Sequence, residues 1–257
     1  MDSNSAPTLE AQLAAALGWW REAGVDLAFV DEPQGWLRDP EAPPSLAEPG
    51  AQRKEAAAKP AEPPPPAIGG APADWPQDLA GFAQWWLSEP SLDLGGSGPR
   101  VAPRGATEPE LMVLVPMPEA GDVDMLLSGK EGVLIANMLA AMRIAPDTAY
   151  LAAALPRHMA RPDWESLARA ELGAILRHHL ALVWPRRLLV LGRGILPLLG
   201  HDPSQAPAAV KQISIHGAQG AVEVPTLTGF APDRLLENAR QRAMLWRQWL
   251  EWTGTDA

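Results

Sequence analysis

Short apolar segments alternate with longer amphipathic segments from residue 108 to the end of the chain, and this alternation constrains the fold more than any other feature. The segments that read as buried strands are 111–115, 150–155, 188–191 and 222–226. Apolar residues recur at helical spacing in 130–142, 164–183, 195–199 and 234–252. Apolar strands that alternate with helices form parallel sheets with both faces covered. We therefore predict an α/β fold, specifically a three-layer α/β/α sandwich around a four-stranded parallel sheet.

A proline-rich stretch separates this part of the chain from its N-terminal part. Residues 39–77 contain eleven prolines, including the run at 63–66, together with many Ala, Glu and Gly residues. Proline fixes φ and lacks a backbone N–H, so this composition favours a solvated, extended linker. The sequence thus predicts a Trp-containing helical segment (1–38), a linker (39–77) and an α/β domain (78–257).

The N-terminal segment carries apolar residues at helical spacing. Leu9, Leu13, Leu17 and Trp20 recur every three to four residues, which predicts an amphipathic helix. Two interpretations of its adjacent tryptophans, Trp19 and Trp20, remain open. They pack on the α/β domain, or they anchor a protein partner, since tryptophan is enriched at interaction hot spots.

The chain contains no cysteine, which excludes several classes of site. Disulfide bonds, thiolate zinc sites and cysteine-ligated iron–sulfur clusters all require that residue. The adjacent His178 and His179 point in different directions on a helix, so they do not form a metal site. No apolar run approaches the roughly 20 residues that span a bilayer, and the first residues lack a secretion signal. We expect a cytoplasmic protein without metal, cofactor or membrane contact.

Negative charge is concentrated in the first 100 residues. They hold 6 Lys and Arg against 15 Asp and Glu, whereas residues 101–257 hold 15 against 16. The net charge of −10 argues against tight non-specific binding of DNA, because such binding depends on neutralising phosphates. The nearly neutral second part can still carry a local basic face.

Ordered stretches of the α/β part resemble motifs of the uracil-DNA glycosylase superfamily. GKEGVLIANMLAAM (129–142) resembles the family's AGxLLxxMLxAIG segment, and PRRLLVLGRGILPLLG (185–200) resembles PkvivaLGxxAxxxLLG. The stretch 224–236 resembles iPvxxTxHPxxLL, and 243–250 resembles the closing Trp-rich helix. Residues 14–33 resemble the leader of the iron–sulfur glycosylases of some bacteria. The resemblance implies a glycosylase-like α/β fold.

The residues that perform catalysis in this family are missing at the matching positions. Its GEAPG stretch positions the hydrolytic water and aligns with 115–119, where Pro116 replaces the acidic residue. The asparagine that reads the uracil edge falls on Ala153. The histidine that stabilises the departing uracil falls on Ala231, and the four cluster cysteines are absent. Glu119 is the nearby carboxylate that could substitute for the lost acid.

Cationic side chains follow the predicted strands. Arg157, His158 and Arg161 follow the second strand, Arg193 the third and Arg234 the fourth. Ligands of open α/β sheets bind beyond the carboxyl ends of the strands, so these residues predict a site for a phosphate group, a nucleic acid or an acidic partner. The alternative is a solvated edge with ordinary salt bridges.

Together these patterns indicate a non-catalytic, glycosylase-like interaction module in DNA repair or replication. We expect a protein partner at the N-terminal segment and weak contact with DNA. A short apolar helix on a tether also resembles clamp-loader accessory subunits of the psi type, as an analogy of architecture. The alternative function is an active DNA glycosylase, excising uracil or a damaged base, with a pocket rebuilt around Glu119.

Overall fold

The computed structural model describes residues 8–22, 68–201, 210–217 and 220–254. The chain divides into two compact units, residues 1–61 and 62–257. Within the first unit the described part is one helix, and the predicted linker up to residue 67 lies outside the described residues.

Helix α1 (Leu9–Glu22) occupies the segment for which the sequence predicts an amphipathic helix. Leu9, Leu13 and Trp19 are exposed, Trp19 at 66%. The side chain of Trp20 lies outside the described part of the chain. Helix α1 therefore presents large apolar side chains, including one of the two candidate anchor tryptophans.

The second unit is built on one mixed sheet. Its strands are β1 (Arg104–Gly105), β2 (Leu111–Val115), β3 (Ala149–Ala153), β4 (Leu188–Leu191), β5 (Val210–Gly217) and β6 (Gly220–Gly229). Their order is β1-β3-β2-β4-β6-β5. The four central strands run parallel, whereas β1 and β5 pair antiparallel with β3 and β6. The α/β prediction is confirmed, but the predicted four-stranded parallel sheet is wrong because the sheet has six strands and is mixed.

The antiparallel pair β5–β6 accounts for much of the difference between the predicted and the observed sheet. The sequence analysis predicts a strand only at 222–226, because polar residues interrupt the apolar pattern on either side. In β5, Ile213 and Ile215 are buried while Gln212 and Ser214 are exposed. This alternation with period two is typical of an edge strand with one solvated face.

Helices cover both faces of the sheet. They are α2 (Leu79–Ser88), α3 (Lys130–Ala141), α4 (Trp164–Arg169), α5 (Leu172–Val183), α6 (Pro232–Glu237) and α7 (Ala239–Gly254), with 3-10 helices at Pro72–Asp74, Pro90–Leu92, Pro146–Thr148 and Arg193–Leu199. Met112 and Leu114 of β2 belong to an apolar core with α2 and α5. Val113 and Val115 belong to a second core with α3 and α7. Alternate residues of β2 thus belong to two different apolar cores.

Two predicted helices are interrupted in the structure. The segment 164–183 divides into α4 and α5 because Glu171 adopts a left-handed backbone with φ of 64°. The segment 234–252 divides into α6 and α7 at Asn238. Its side-chain oxygen accepts the backbone N–H of Arg240 at 3.0 Å, so Asn238 ends one helix and caps the next.

The folded domain begins earlier than the sequence predicts. Residues 68–77 belong to the predicted linker, yet Ile68 and Trp75 are buried. The Trp75 ring contacts the His178 ring of α5, with centroids 5.2 Å apart. The Nε2 atom of His178 lies 2.7 Å from the carbonyl oxygen of Pro76. The burial of these large side chains offsets the entropy cost of ordering a proline-containing stretch.

We predict that Trp75→Ala lowers the free energy of unfolding by about 3 kcal/mol, because it removes a buried aromatic ring and leaves a cavity. Urea denaturation of the full chain measures this change. Trp19→Ala is the matched control, since Trp19 is exposed and its loss is expected to cost less than about 0.5 kcal/mol. Equal costs for the two variants would contradict the packing of this stretch.

His179 of α5 is buried as a neutral ring. Its Nε2 lies 3.0 Å from the hydroxyl oxygen of Tyr150, and its ring stacks on Phe82 with centroids 4.2 Å apart. Its Nδ1 has no hydrogen-bond partner among the described residues. Burial, with a smaller contribution from the neighbouring His178, lowers the pKa of His179 to about 3. Protonation of this ring is therefore coupled to unfolding.

We predict that His179 makes the fold sensitive to acid. The pKa of His179 is 6.5 in the unfolded chain and about 3 in the folded chain. Between these two pH values the unfolded chain binds a proton at this residue and the folded chain does not. This contribution to stability is thus complete above pH 6.5 and falls by about 1.4 kcal/mol per pH unit as the pH decreases through that window. In the His179→Phe variant, the number of protons taken up on unfolding in this pH range should fall by one, which urea denaturation at several pH values measures. His216→Gln, a change at an exposed residue, is the control. An unchanged slope in His179→Phe would show that the ring already protonates in the folded state.

Candidate functional site

A cleft opens at the carboxyl edge of the four parallel strands, with a volume of about 530 Å³. Its lining residues are 116–118 after β2, 158–160 and 162 after β3, 192–194 after β4 and 230–234 after β6, together with Glu131 and Trp164. Every parallel strand thus contributes the loop at its carboxyl end. This is the edge at which open α/β sheets bind their ligands.

The positions that the glycosylase resemblance assigns to catalysis lie at these strand ends. Gly192 has a φ of 144°, and a Cβ atom there would lie 2.6 Å from the Cγ of Pro116 and 3.9 Å from the Cβ of Ala231. Only glycine allows this close approach. Pro116 and Ala231 line the cleft, whereas Ala153 ends β3 and is buried in the core beside α3. None of the three has a side chain that can donate a hydrogen bond or carry charge.

Glu119 binds the backbone at the start of α3. Its carboxylate accepts the N–H groups of Gly129, Glu131 and Gly132, at 3.0, 3.1 and 2.9 Å. Backbone N–H groups at the N-terminus of a helix have no hydrogen-bond partner within the helix, and the helix dipole favours negative charge at that end. Glu119 is not among the residues that line the cleft. These contacts assign Glu119 to capping α3.

Asp122 fixes the loop that carries Glu119. Its carboxylate accepts the N–H groups of Glu119, Leu127 and Ser128 at 2.9, 2.7 and 2.8 Å, and the hydroxyl of Ser128 at 2.7 Å. Burial alone would raise the pKa of Asp122, but the hydrogen bonds from Ser128 and Leu127 outweigh it and lower the pKa. The loop between β2 and α3 therefore holds Glu119 at the start of the helix.

Glu131 is a titratable residue of the cleft that the sequence analysis misses. Burial raises the pKa of Glu131 to about 7, and the negative charges of Glu119 and Asp233 add to the effect. Near neutral pH a large fraction of molecules therefore carries a protonated carboxyl group that can donate a hydrogen bond. No local pattern marks this residue, because its pKa depends on burial in the folded domain and on carboxylates from other segments of the chain.

Three of the five predicted cationic residues line the cleft, namely His158, Arg193 and Arg234. The guanidinium carbon of Arg193 lies 4.3 Å from the ring centroid of Phe230, a cation–π contact that orients its charge. The Nδ1 of His158 lies 3.1 Å from the carbonyl oxygen of Pro118. A carbonyl only accepts, so Nδ1 donates and Nε2 is left for a ligand.

The other two cationic residues have different positions. Arg157 forms an ion pair with Asp93, with 3.5 Å between Nη1 and Oδ1. Arg161 is exposed and does not line the cleft. The predicted convergence of four arginines therefore occurs for Arg193 and Arg234 only.

Among the residues that the structure describes, no group of three or more His, Cys, Asp and Glu side chains is arranged to hold a metal ion. Within the same described ranges, no helix is long and apolar enough to cross a membrane.

Comparison with known proteins adds no relative. A scan against protein-family models finds no match to the chain, and a search of curated proteins finds no significant similarity. The resemblance to uracil-DNA glycosylases therefore stays a prediction from the motifs of the chain.

We predict opposite effects on stability for the two glutamates at the start of α3. Glu119→Ala removes a cap and should lower the free energy of unfolding by about 1–2 kcal/mol. Glu131→Gln should raise it at pH 8, because the folded state then no longer bears the cost of ionising a buried carboxyl. The loss in free energy of unfolding that the raised pKa of Glu131 causes grows as the pH rises from 4.5 to about 7.

Urea denaturation at pH 4 and pH 8 measures both effects. At pH 4 the Glu131→Gln variant and the natural chain should have nearly the same stability. Glu110→Gln is the control, since Glu110 does not line the cleft. A stabilisation by Glu131→Gln that is equal at both pH values would rule out the raised pKa.

Proposed function

We propose that this chain carries a non-catalytic, uracil-DNA-glycosylase-like domain that acts as an interaction module in DNA repair or replication. The observation that carries the proposal is the loss of the polar side chains at the positions that the resemblance assigns to catalysis. Where the resemblance requires an acid, an amide and an imidazole, the chain has Pro116, Ala153 and Ala231. Flipping a base out of DNA costs a few kcal/mol, which a pocket returns through hydrogen bonds and stacking. The side chains at those three positions cannot form a hydrogen bond.

The cationic residues of the cleft support contact with the backbone of single-stranded DNA. Arg193 and Arg234 provide hydrogen-bond donors for phosphate oxygens. Phe230 lies under the guanidinium of Arg193 and holds that positive charge at the cleft. The nearby Glu131 and Asp233 oppose this attraction, and the chain is acidic as a whole. We therefore expect weak binding that depends on salt.

Protein contacts are proposed at the other unit of the chain. Trp19 and Leu13 of α1 are 66% and 61% exposed. Large exposed apolar side chains on one short helix are suited to the groove of a partner. This arrangement supports a role as a psi-like accessory of a clamp loader, which remains an analogy of architecture.

Glu131 supports a second candidate, an active DNA glycosylase with a rebuilt pocket. A carboxyl group with a pKa near the working pH is suited to general acid–base catalysis. In such a reaction Glu131 takes a proton from water as that water attacks C1′ of the sugar. The bond from C1′ to the base breaks, and the base leaves with the bonding electrons, with Arg193 and Arg234 near its negative charge.

One set of variants tests both candidates. We predict that the natural chain binds a fluorescein-labelled single-stranded oligonucleotide weakly in anisotropy titrations. Replacing Arg193 and Arg234 together with alanine should reduce the slope of log affinity against log salt by about one to two. The paired change of Arg169 and Arg186, which do not line the cleft, should leave the slope unchanged. Equal slopes in both double variants would exclude the cleft as the DNA site.

The same proteins are assayed for excision of uracil from single- and double-stranded DNA at stoichiometric concentration. We expect no abasic product from the natural chain. Product that disappears in Glu131→Gln but persists in Glu119→Gln would overturn the non-catalytic proposal in favour of the rebuilt pocket.

A further inference from the structure

A second concave surface lies between α3 and α7, away from the strand ends. Leu134, Met138, Leu245 and Trp246 form its walls, with Asn137 and Arg242 among its polar lining residues. The groove has a volume of about 230 Å³, which is sufficient for one or two large apolar side chains. We refer to it as the α3–α7 groove.

Apolar side chains on both helices of the groove are exposed. On α3, Val133 is 61% exposed, and on α7, Trp246 and Leu250 are 38% and 51% exposed. Of these, Trp246 lines the groove. Single exposed apolar residues are common on protein surfaces, but an exposed tryptophan that lines an apolar groove is typical of an interaction site. Tryptophan at such a position is the residue type most enriched among energetically important contacts.

Positive charge predominates on the two helices that form the groove. Arg242 lines the groove. Arg240 and Arg247 lie on the same helix as Arg242, and Arg143 lies just after α3, whereas the acidic residues of the two helices are Glu131 and Glu251. The acidic residues of the adjoining α6, Asp233 and Glu237, do not line the groove. In a chain with a net charge of −10, this is a local concentration of positive charge on an apolar surface.

Arg242 is held in place at the groove. Its Nη1 donates to the carbonyl oxygens of Leu235 and Leu236 in the last turn of α6. These carbonyls carry the negative end of the helix dipole, so the contact restrains the guanidinium group. A restrained arginine loses less side-chain entropy when it binds a carboxylate.

We propose that the α3–α7 groove binds an acidic peptide segment of a partner protein, with its apolar side chains in the groove and its carboxylates on the surrounding arginines. The positive charge favours this occupant over a second copy of the chain. A two-fold interface would place the same arginines of both copies against each other, and like charges in an interface cost several kcal/mol. The apolar walls give the peptide's side chains a binding surface that a phosphate backbone cannot use.

The test uses a fluorescein-labelled ten-residue peptide in which Asp alternates with Leu and Phe, titrated with the full chain. We expect saturable binding, and no binding for the same peptide with Lys in place of Asp. Trp246→Ala and Arg247→Glu should each weaken binding by about tenfold or more. Met125→Ala and Arg169→Glu are the controls, since both residues are exposed and neither lines the groove. Leu250→Ala is a second apolar variant, and circular dichroism checks that each variant is folded.

Three results would overturn the proposal. The first is no binding of the acidic peptide, or equal binding of the Lys peptide. The second is binding that survives both Trp246→Ala and Arg247→Glu. The third is a concentration-dependent dimer in sedimentation that Trp246→Ala abolishes, which would assign the groove to a second copy. The cleft variants Arg193→Ala and Arg234→Ala should leave peptide binding unchanged, so failure here is distinct from failure of the proposed DNA contact.

Discussion

The burial of strand β2 on both faces determines the arrangement of the domain. All five of its side chains are buried, and it pairs in parallel with both β3 and β4. Its alternate residues belong to two different apolar cores, so helices must cover both sides of the sheet. Because its neighbours run in the same direction, their carboxyl ends meet at one edge, and the loops that follow them form the cleft.

Two glutamates at the start of α3 show how position decides the chemistry of one residue type. Glu119 accepts three backbone N–H groups and completes the helix. Glu131 has no comparable hydrogen bonds to its carboxylate among those the structure describes, and burial near other carboxylates raises its pKa to about 7. The carboxylate that sequence reasoning selects is thus a structural cap, and the one it overlooks lines the cleft. The distinction depends on which segments lie together in space.

The sequence predicts best the elements whose burial is uniform. Strands β2 and β4 are found at their predicted residues because buried parallel strands are continuously apolar. Asp163 caps α4 as its residue type suggests, accepting the N–H of Ser166 at 3.1 Å. The edge strands β1 and β5 are missed because one is two residues long and the other is half polar. For the candidate site, a residue that follows a parallel strand can be assigned to the carboxyl edge of the sheet from the sequence. The direction of a long side chain cannot, as the ion pair of Arg157 with Asp93 shows.

Helix α3 contributes residues to both the cleft and the α3–α7 groove. Glu131 in its first turn lines the cleft, and Leu134 and Met138, one and two turns later, line the groove beside α7. The helix rises only about 1.5 Å per residue, so these contacts lie within roughly 11 Å along one rigid rod. A ligand that tilts α3 at one end therefore changes the shape of the wall at the other. Thermodynamic linkage makes any such coupling reciprocal: occupancy of each surface would alter affinity at the other by the same factor.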